Sequence, residues 1–481
     1  MDNRRAFIKK MGWATGSLSL LGTTNILGFQ NPLLWRKPIR VKGKVLSHKR
    51  GLPKVVVSDG ETVVLTDKNG NFDFVSTSKQ SFVFVSLPSG FQINQLENGS
   101  AAFFKALDLN KSTNELLFQL QPTPESDDKH NLLLLADPQI QNEYEVEQLL
   151  NTATPDVIQT IKELNNPNTF GVGCGDLVYD RLHLLEDYNK SIRAMDIPFF
   201  QVVGNHDMDF MDSRTDAVST RTFNSHYGPS YYSFNRGEIH YVILDDVFFT
   251  GTKREYIGYL TEDQLAWLEK DLRYIEAGQT VVLCAHIPIF HVKNKTYLYE
   301  LLSPFKTHIL SGHTHRINHY FEENCHEHVV GAVCGAWWSG PICVDGTPNG
   351  YGVYQINGSD LSWYYKSVGK DKSHQFRFYQ RGVHPEFPNS CCLNIWNWDP
   401  NWSISWYENG ERKFHVRNIK TTDPLSTALH LGEKLPERRP WAEPAVTDHM
   451  FFFEPSEMDN ITIEVTDGFG NTFIETVSPD A

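Results

Sequence analysis

Hydrophobic and polar positions follow three different patterns along the chain, and each change of pattern marks a change of structure. In residues 37–122, short stretches such as 41–45 alternate between apolar and polar side chains, and turn signals such as Asp67-Lys68-Asn69-Gly70 separate them. Because successive side chains of a strand point to opposite faces, this alternation is typical of strands with one buried face. The first segment is therefore predicted to be a small β-sandwich.

The second pattern begins after a polar, proline-containing linker at about 122–130. Apolar stretches without alternation lie here between helical ones, and these stretches are 131–136, 170–174, 199–203, 280–284 and 308–310. One helix is signalled by a capping box from Thr261 to Gln264, followed by leucines on a single face. Strands that are apolar on both faces, with helices between them, indicate an α/β layered core. This core is predicted over residues 128–372.

The third pattern, over residues 373–481, is again an alternation of apolar and polar residues. Stretches 401–407 and 461–467 alternate, and each runs into a turn, at Gly410 and at Gly468. Alternating strands bounded by turns favour a second β-sandwich at this end of the chain.

The first 28 residues are interpreted as an export signal and not as part of the fold. Arg4 and Arg5 precede a modestly apolar stretch that ends near Gly28, and this arrangement resembles a twin-arginine signal. A short membrane anchor is the alternative, but the stretch is rich in Gly, Ser and Thr and barely long enough to span a bilayer. We therefore expect an exported, periplasmic protein with no transmembrane span in the mature chain.

Composition argues against one class of partner. The 481 residues include 58 acidic and 44 basic side chains, which gives a net charge of -14. Proteins that bind nucleic acid without sequence preference are usually basic, so no such binding is expected. The seven cysteines show no CxxC spacing. Three of them, Cys174, Cys284 and Cys334, lie in apolar stretches and are interpreted as small buried hydrophobic residues, whereas Cys391-Cys392 leaves a disulfide open.

Five polar motifs follow apolar strands of the central segment in one order. They are Asp137-Pro138-Gln139, Gly175-Asp176-Leu177-Val178-Tyr179-Asp180, Gly204-Asn205-His206-Asp207, His286 and Gly312-His313-Thr314-His315. Their carboxylate, amide and imidazole groups are enough to hold two divalent metal ions side by side, and manganese, zinc or iron suits these donors. Asp176 is placed to bridge the two ions. Such a pair binds phosphate oxygens and lowers the pKa of a bridging water, so the motifs predict hydrolysis of a phosphate ester.

Over about residues 131–365 the motifs resemble those of the calcineurin-like metallophosphoesterase superfamily, whose pattern runs Asp-x-His, Gly-Asp-x-x-Asp, Gly-Asn-His-Asp/Glu, His and Gly-His-x-His. The resemblance implies a four-layer core of two mixed β-sheets flanked by helices, with a dinuclear metal site. The first segment is similar to a transthyretin-like β-sandwich. Both terminal modules resemble those of a bacterial subgroup with calcineurin-like phosphoesterase N-terminal and C-terminal domains.

The resemblance also implies a role for each motif residue. The first metal would be held by Asp137 and His315, Asp176 would bridge, and the second metal would be held by Asn205, His286 and His313. A metal-bridged hydroxide would attack phosphorus. His206 would then protonate the leaving alkoxide, and Asp207 would orient His206.

Two positions depart from the pattern of this superfamily. Gln139 stands in place of the histidine of the first motif, and an amide oxygen is a neutral, weaker ligand that favours a harder ion such as manganese. Tyr179 stands where the last aspartate of Gly-Asp-x-x-Asp is expected, and Asp180 follows it. Purple acid phosphatases carry a tyrosine there as a ferric ligand, so Tyr179 is a candidate metal ligand, with packing as the alternative.

Several side chains outside the motifs are candidates for other roles. Tyr231, Trp337 and Trp338 could stack on a nucleobase or sugar, although packing within the protein is the commoner role of such residues. His326 and His328, like His291, match no motif position and are interpreted as surface or core histidines.

The sequence therefore predicts an exported metal-dependent phosphoric ester hydrolase that acts on a phosphomonoester or phosphodiester. One alternative is a nucleotide-diphosphate pyrophosphatase-like hydrolase, which Gln139 suggests. A second is a non-catalytic surface-binding protein on a retained phosphoesterase fold, because fold alone does not guarantee activity. The near-complete ligand set, in which only the histidine of the first motif is replaced, favours an enzyme.

Overall fold

β-Strands form most of the regular structure at both ends of the chain, whereas helices are concentrated in its central part. The computed structural model describes residues 38–77, 81–458 and 460–477, which belong to one compact unit. The predicted export signal lies outside the described residues. Among those that are described, no helix is long and apolar enough to cross a membrane.

The N-terminal segment forms the predicted β-sandwich. Its strands are β1 Ile39–Ser47, β2 Arg50–Gly51, β3 Val56–Ser58, β4 Val63–Leu65, β5 Asn71–Ser76, β6 Phe82–Val85, β7 Phe104–Ala106 and β8 Thr113–Gln119. In one sheet, β1 is antiparallel to β2 and β5 and parallel to β8, and the other sheet has the order β4-β3-β6-β7. Every second side chain of β5 is buried, among them Phe72 and Phe74, so the alternation in the sequence marks the inward face.

The central segment alternates strands and helices. Its elements are β9 Lys129–Leu135, α1 Glu143–Gln148, α2 Thr154–Leu164, β10 Thr169–Cys174, α3 Leu185–Met195, β11 Phe199–Val202, α4 Arg221–Tyr227, β12 Tyr232–Arg236, β13 Ile239–Ile243, β14 Val247–Phe249, β15 Tyr256–Gly258, α5 Glu262–Asp271, β16 Thr280–Cys284, α6 Lys295–Leu302, β17 Lys306–Ser311, β18 Asn318–Glu322, β19 Cys325–Val329, β20 Gly350–Asn357 and β21 Asp360–Ser367. A π-helical turn, Leu149–Ala153, joins α1 to α2. The capping box predicted for α5 is present in part, since the Thr261 side chain accepts from the Gln264 backbone.

Two mixed sheets form the middle of this segment. The first central sheet has the order β11-β10-β9-β20-β21, in which β9, β10 and β11 are parallel. The second central sheet has the order β12-β13-β16-β17-β19-β18, with four parallel strands between two antiparallel edges. Aromatic pairs join the sheets face to face, for example Phe200 and Phe234, whose ring centroids are 3.8 Å apart.

Helices cover the outer faces of these sheets. Leu132 and Leu134 of β9 belong to the core between the sheets, whereas Leu133 and Leu135 belong to the core shared with α2 and α3. Trp267 of α5 is fully buried, and its indole N–H donates to the hydroxyl of Ser58 in the N-terminal sandwich. The result is the four-layer α/β core that the sequence predicts, and it explains why the central strands are apolar on both faces.

The C-terminal segment forms a second sandwich. Its elements are β22 Arg377–Tyr379, β23 Cys391–Asn394, β24 Ser403–Glu408, β25 Glu411–Lys413, β26 Arg417–Asn418, β27 Thr421–Thr422, α7 Pro424–Leu431, β28 Val446–Thr447, β29 Met450–Phe453, β30 Ile461–Thr466 and β31 Thr472–Val477. The two sheets have the orders β22-β23-β29-β26 and β25-β24-β30-β31. Their core includes Leu393, Trp406 and Ile463. All seven cysteines of the chain are buried and unbridged.

Candidate metal centre

The motif side chains converge at one edge of the two central sheets. Asp137 follows β9, Asp176 follows β10, and Asn205 opens a 3-10 turn after β11. His286 follows β16, and His313 follows β17. Strands β9, β10 and β11 run parallel to one another, and so do β16 and β17, so their carboxyl ends meet at the edge where open α/β sheets place their sites.

The backbone around these side chains is held in an uncommon conformation. Asp137 and Asp176 have φ angles of 52° and 50°, and Gln139, His313 and His315 also have positive φ. Non-glycine residues in the left-handed region cost about 1–3 kcal/mol each and persist where the surroundings fix them. Packing of the strand ends therefore imposes a geometry that short linear peptides of the same sequence would rarely adopt.

Two motif glycines permit the close approach of the strand ends. A Cβ at Gly204 would lie 2.0 Å from the backbone nitrogen of Asp176. A Cβ at Gly312 would lie 2.6 Å from Oδ2 of Asp137. Any larger residue at either position would displace a predicted ligand, which explains why the motifs carry glycine there.

The first half of the site is made by Asp137, Gln139 and His315. Asp137 Oδ2 accepts from the backbone N–H of His313 at 2.8 Å. His315 Nδ1 donates to the carbonyl of Gly335, which leaves Nε2 as a lone pair 3.5 Å from Asp137 Oδ1. Asp137 Oδ1, Gln139 Oε1 and His315 Nε2 are buried and have no hydrogen-bond partner among the described residues. Three buried acceptors without donors fit a cation and fit little else.

The second half is made by Asp176, Asn205, His286 and His313. His286 Nδ1 donates to the carbonyl of Cys174 at 2.9 Å, so Nε2 carries a lone pair. That nitrogen lies 3.2 Å from Asn205 Oδ1, 3.3 Å from Asp176 Oδ1 and 3.2 Å from His313 Nδ1. These atoms too are acceptors that face one another, which is the arrangement of a second divalent metal site.

The electrostatics of the cluster favour positive charge at its centre. Burial raises the pKa of Asp137 to about 7, with the Asp176 carboxylate adding to the effect. Burial would also raise the pKa of Asp176, but the imidazoles of His286 and His206 outweigh it and lower that pKa. Burial would lower the pKa of His286, but the Asp176 carboxylate raises it to about 10. The buried carboxylates thus demand a counter-charge, which metal ions or protons supply.

Gln139 and Asp176 lie where the two halves meet. Gln139 Nε2 donates to Asp176 Oδ2 at 2.6 Å, while Asp176 Oδ1 accepts from the backbone of His206 at 2.8 Å and faces His286. Asp176 therefore touches both halves, as a bridging carboxylate must. Its bridging role and the ligand roles of the other motif residues remain predictions.

The partner predicted for His206 is wrong. His206 Nδ1 lies 2.8 Å from Asp180 Oδ1, and Asp180 in turn pairs with Arg254. Asp207 instead accepts from the backbone N–H groups of Val178 and Gly204 and holds two motif loops together. The two aspartates exchange roles because the 3-10 turn at Asn205–Asp207 directs Asp207 inward, where it is fully buried.

Tyr179 packs on the same histidine. Its ring stacks on the His206 imidazole, with centroids 4.0 Å apart and planes at 20°. Burial raises the pKa of its phenol, which opposes the phenolate form that a ferric ligand requires. This geometry favours the packing alternative over the candidate ligand role.

Two of the three candidate stacking aromatics lie elsewhere than expected. Tyr231 donates its hydroxyl to the carbonyl of Gly60 in the N-terminal sandwich. Trp338 is buried, and its indole N–H donates to the carbonyl of Pro138, so it supports the first motif from behind. Only Trp337 lies against the site, stacked on His315 with centroids 4.2 Å apart. These contacts favour packing roles for Tyr231 and Trp338, and the substrate-binding roles stay predictions.

Sequence reasoning missed residues that the folded chain brings to the site. Asp246 accepts from the backbone N–H groups of His286 and Ile287, each at 3.1 Å, and so positions His286. It follows strand β13, and the strand-end rule that found the other aspartates could have found it. Trp441 and Arg439 arrive from the C-terminal segment, where Trp441 contacts Trp337 at 4.7 Å. No local sequence motif indicates that Trp441 and Arg439 lie near the site.

Three family profiles match the chain. Calcineurin-like phosphoesterase matches residues 130–316, the N terminal of Calcineurin-like phosphoesterase matches 39–123, and the C terminal of Calcineurin-like phosphoesterase matches 327–473. No curated protein matches.

Solved structures that resemble the chain include two phosphatases, at the level of fold alone. A dimetal phosphatase from Danio rerio is 14% identical over 50% of this chain and 96% of its own, with a TM-score of 0.38. A purple acid phosphatase from yellow lupin seeds is 14% identical over 73% of this chain and 75% of its own, with a TM-score of 0.38. Taken with the matched profiles, which span residues 39–473 with two short gaps, the four-layer core and its ligand cluster place this chain in the calcineurin-like phosphoesterase family of metal-dependent phosphoric ester hydrolases.

Proposed function

We propose that the protein is an exported dinuclear-metal phosphoesterase that hydrolyses a phosphomonoester or a phosphodiester. The observation that carries this proposal is the pair of acceptor clusters that share Asp176, one around His315 and one around His286. Bound there, two divalent metals would hold phosphate oxygens and activate water for attack on phosphorus. The mixed carboxylate, amide and imidazole donors suit manganese, zinc or iron.

His206 is the proposed proton donor to the leaving alkoxide. Its Nε2 lies 4.0 Å from Asp176 Oδ2, which turns this nitrogen toward the shared carboxylate. Burial would lower the pKa of His206, but the Asp176 and Asp180 carboxylates raise it, so the imidazolium form is favoured. A protonated imidazole fixed by Asp180 and stacked on Tyr179 is ready to donate a proton at Nε2.

The residues at the entrance to the site suit a leaving group that has a flat ring and carries a negative charge close to it. Trp337 lies on His315, and Trp441, which is 52% exposed, extends that apolar surface outward. Arg439 lies over the Tyr179 ring, 5.1 Å from its centroid. Aromatic faces next to a guanidinium favour an aryl, nucleoside or sugar leaving group over a small aliphatic one.

A diphosphate substrate is a second candidate. Gln139 Oε1 is buried without a hydrogen-bond partner among the described residues, so it is available as an amide ligand. The Asp-x-Gln motif resembles that of manganese-dependent pyrophosphatases, which act on diphosphates. A purely binding role is less favoured. The candidate ligand side chains converge beside His206, whereas a decayed site usually lacks a ligand or the acid.

The chemistry is tested by measuring hydrolysis of a mono-aryl phosphate, a bis-aryl phosphate and a nucleoside diphosphate derivative with manganese, zinc or iron. We expect turnover of at least one substrate, with kcat lowered by about 100-fold or more in His206→Ala and Asn205→Ala. Circular dichroism confirms that both variants are folded. Undiminished turnover in both variants would rule out this mechanism.

Export is proposed from Arg4 and Arg5 and the apolar stretch that follows them. The test fuses residues 1–45 to a reporter that is active only after folded export. We expect export to be lost when both arginines are replaced by lysine. Equal export by the two fusions would rule out a twin-arginine signal.

A further inference from the structure

A second group of imidazoles, two of them buried and two half-buried, lies away from the metal centre. His308 of β17, His319 of β18, and His326 and His328 of β19 form this histidine cluster. In the sheet register His308 pairs with His326, and His319 pairs with His328. Because His326 and His328 are two residues apart, all four side chains lie on one face of the second central sheet.

The cluster is separate from the catalytic edge. His308 lies inside β17, which ends at Ser311, whereas His313 follows the end of that strand. Trp363 of β21, in the facing sheet, covers the cluster, with ring centroids 4.5 Å from His328, 5.4 Å from His326 and 5.8 Å from His308. No residue assigned to the dinuclear centre belongs to it.

The nitrogen atoms are close enough to share one ion. Nδ1 of His308 lies 3.1 Å from Nε2 of His328. One ring nitrogen from each of His308, His326 and His328 lies within 4.8 Å of the others. Tetrahedral zinc with bonds of about 2.0–2.1 Å to imidazole separates its ligand nitrogens by about 3.3 Å. Side-chain rotations of the order of 1 Å would therefore bring three donors to the right spacing.

The protonation state suits metal binding. Burial lowers the pKa of His308 to about 4 and that of His326 to about 2, and it lowers the pKa of His328 well below its ordinary value. The rings are therefore neutral at pH 7, with lone pairs available, which is the form that ligates a metal.

Hydrogen bonding alone accounts for the cluster incompletely. It can pair His308 with His328 and His319 with His326, whose Nδ1 and Nε2 are 3.0 Å apart. That arrangement leaves Nδ1 of His328 buried without a partner among the described residues, whereas His319 also has a hydrogen bond to the side chain of Asn397. Buried polar atoms are rarely left without a partner, so hydrogen bonds among the imidazoles do not account for the whole cluster.

We propose that the histidine cluster is a mononuclear zinc site held by His308, His326 and His328. His319 lies beside His326 as its hydrogen-bond partner or as a fourth donor, and such outer partners orient metal-bound histidines. Imidazole-only donors suit zinc, and they exclude calcium and magnesium, which take oxygen ligands. The ion would tie β17 and β19 of the second sheet together and would not enter the hydrolytic chemistry.

The test measures zinc binding to the full chain after both halves of the dinuclear centre are disabled by Asp137→Asn, Asp176→Asn and His313→Ala. Zn²⁺ alone is the probe, in equilibrium dialysis with metal analysis. We expect about one zinc per chain in this background and about none when His308→Leu and His326→Asn are added. His415→Ala, at an exposed histidine of the C-terminal segment, is the matched control and should retain the zinc.

The proposal would be overturned if zinc binding were unchanged by the His308 and His326 substitutions. It would also be overturned if the folded background variant bound no zinc. Should the cluster variants fail to fold, anomalous diffraction at the zinc edge from crystals of the background variant decides. A peak between His308, His326 and His328 supports the site, and the lack of one contradicts it.

Discussion

Two aspartates near His206 have different roles, and their positions in the sequence do not reveal which of them contacts the imidazole. Asp180 contacts the imidazole directly, whereas Asp207, which is adjacent to His206 in the chain, binds only backbone N–H groups. Substituting Asp180 should therefore affect catalysis, and substituting Asp207 should affect stability.

For Asp180→Asn we expect kcat to fall by about 10-fold or more with little change in thermal stability, because His206 loses the charge that orients it and favours its protonated form. The measurement is steady-state kinetics beside thermal unfolding. Asp187→Asn, in the first turn of α3 and paired with Lys190, is the control and should keep kcat unchanged. A kcat equal to that of the unmodified protein would remove Asp180 from the mechanism.

Asp207→Ala should lower the free energy of unfolding by about 3 kcal/mol, since the buried N–H groups of Val178 and Gly204 lose their acceptor. Chemical denaturation measures this directly. A change below about 1 kcal/mol would show that water or another group replaces the carboxylate.

At the scale of elements, strand ends were predictable and the geometry of the turns after them was not. Apolar runs located β9, β10, β11, β16 and β17, and parallel strands bring their carboxyl ends together. The left-handed backbone of Asp137 and Asp176 and the inward turn of Asp207 depend on contacts between strands that are distant in sequence. Local patterns therefore located the residues that converge at the site, but they did not identify Asp180 as the neighbour of His206.

The strand β9 carries a pH-sensitive contact outside the metal centre. His130 Nε2 lies 2.7 Å from the Tyr241 hydroxyl and Nδ1 lies 2.8 Å from the carbonyl of Asp127. Burial lowers the pKa of His130 from 6.5 to about 4. The folded state therefore keeps the neutral ring while the unfolded chain binds a proton below about pH 6.5, so stability is lost as the pH falls from about 6.5 to about 4.

This contact should contribute up to about 3 kcal/mol to the loss of stability between pH 7 and pH 4. Denaturation curves at several pH values measure the loss in the wild type and in His130→Gln, which keeps hydrogen-bonding groups but does not titrate. We expect a shallower loss in the variant, and His415→Gln, at an exposed site, should follow the wild type. Parallel curves for wild type and His130→Gln would contradict this assignment.

At the scale of the whole molecule, the C-terminal segment completes the mouth of the site. Arg439 donates to Gln141 and Glu145 of the central segment, and Trp441 contacts Trp337. The two contacts of Arg439 link residues at sequence separations of 298 and 294. No sequence pattern short of the complete fold could have predicted them, and the predicted domain boundaries and the export signal remain predictions.

Trp441→Ala should raise KM for aryl phosphates by about threefold to tenfold and leave kcat nearly unchanged, because an aromatic contact to the leaving group is lost while the metal ligands stay in place. Kinetics with a mono-aryl phosphate and with a small alkyl phosphate measure the effect. Phe414→Ala, which removes a 79% exposed aromatic of the C-terminal segment, is the control. An equal effect on the alkyl substrate would show that Trp441 supports the fold and not the substrate.

The central claim, that two metals around Asp176 carry out phosphate ester hydrolysis, is tested most directly by titrating manganese into chelator-treated protein while aryl phosphate hydrolysis is followed. We predict no hydrolysis by the stripped protein, activity that rises with metal and then saturates, and a loss of about 100-fold or more in Asp176→Asn at saturating metal. Full hydrolysis by the stripped protein, or an Asp176→Asn variant as active as the wild type, would contradict the account.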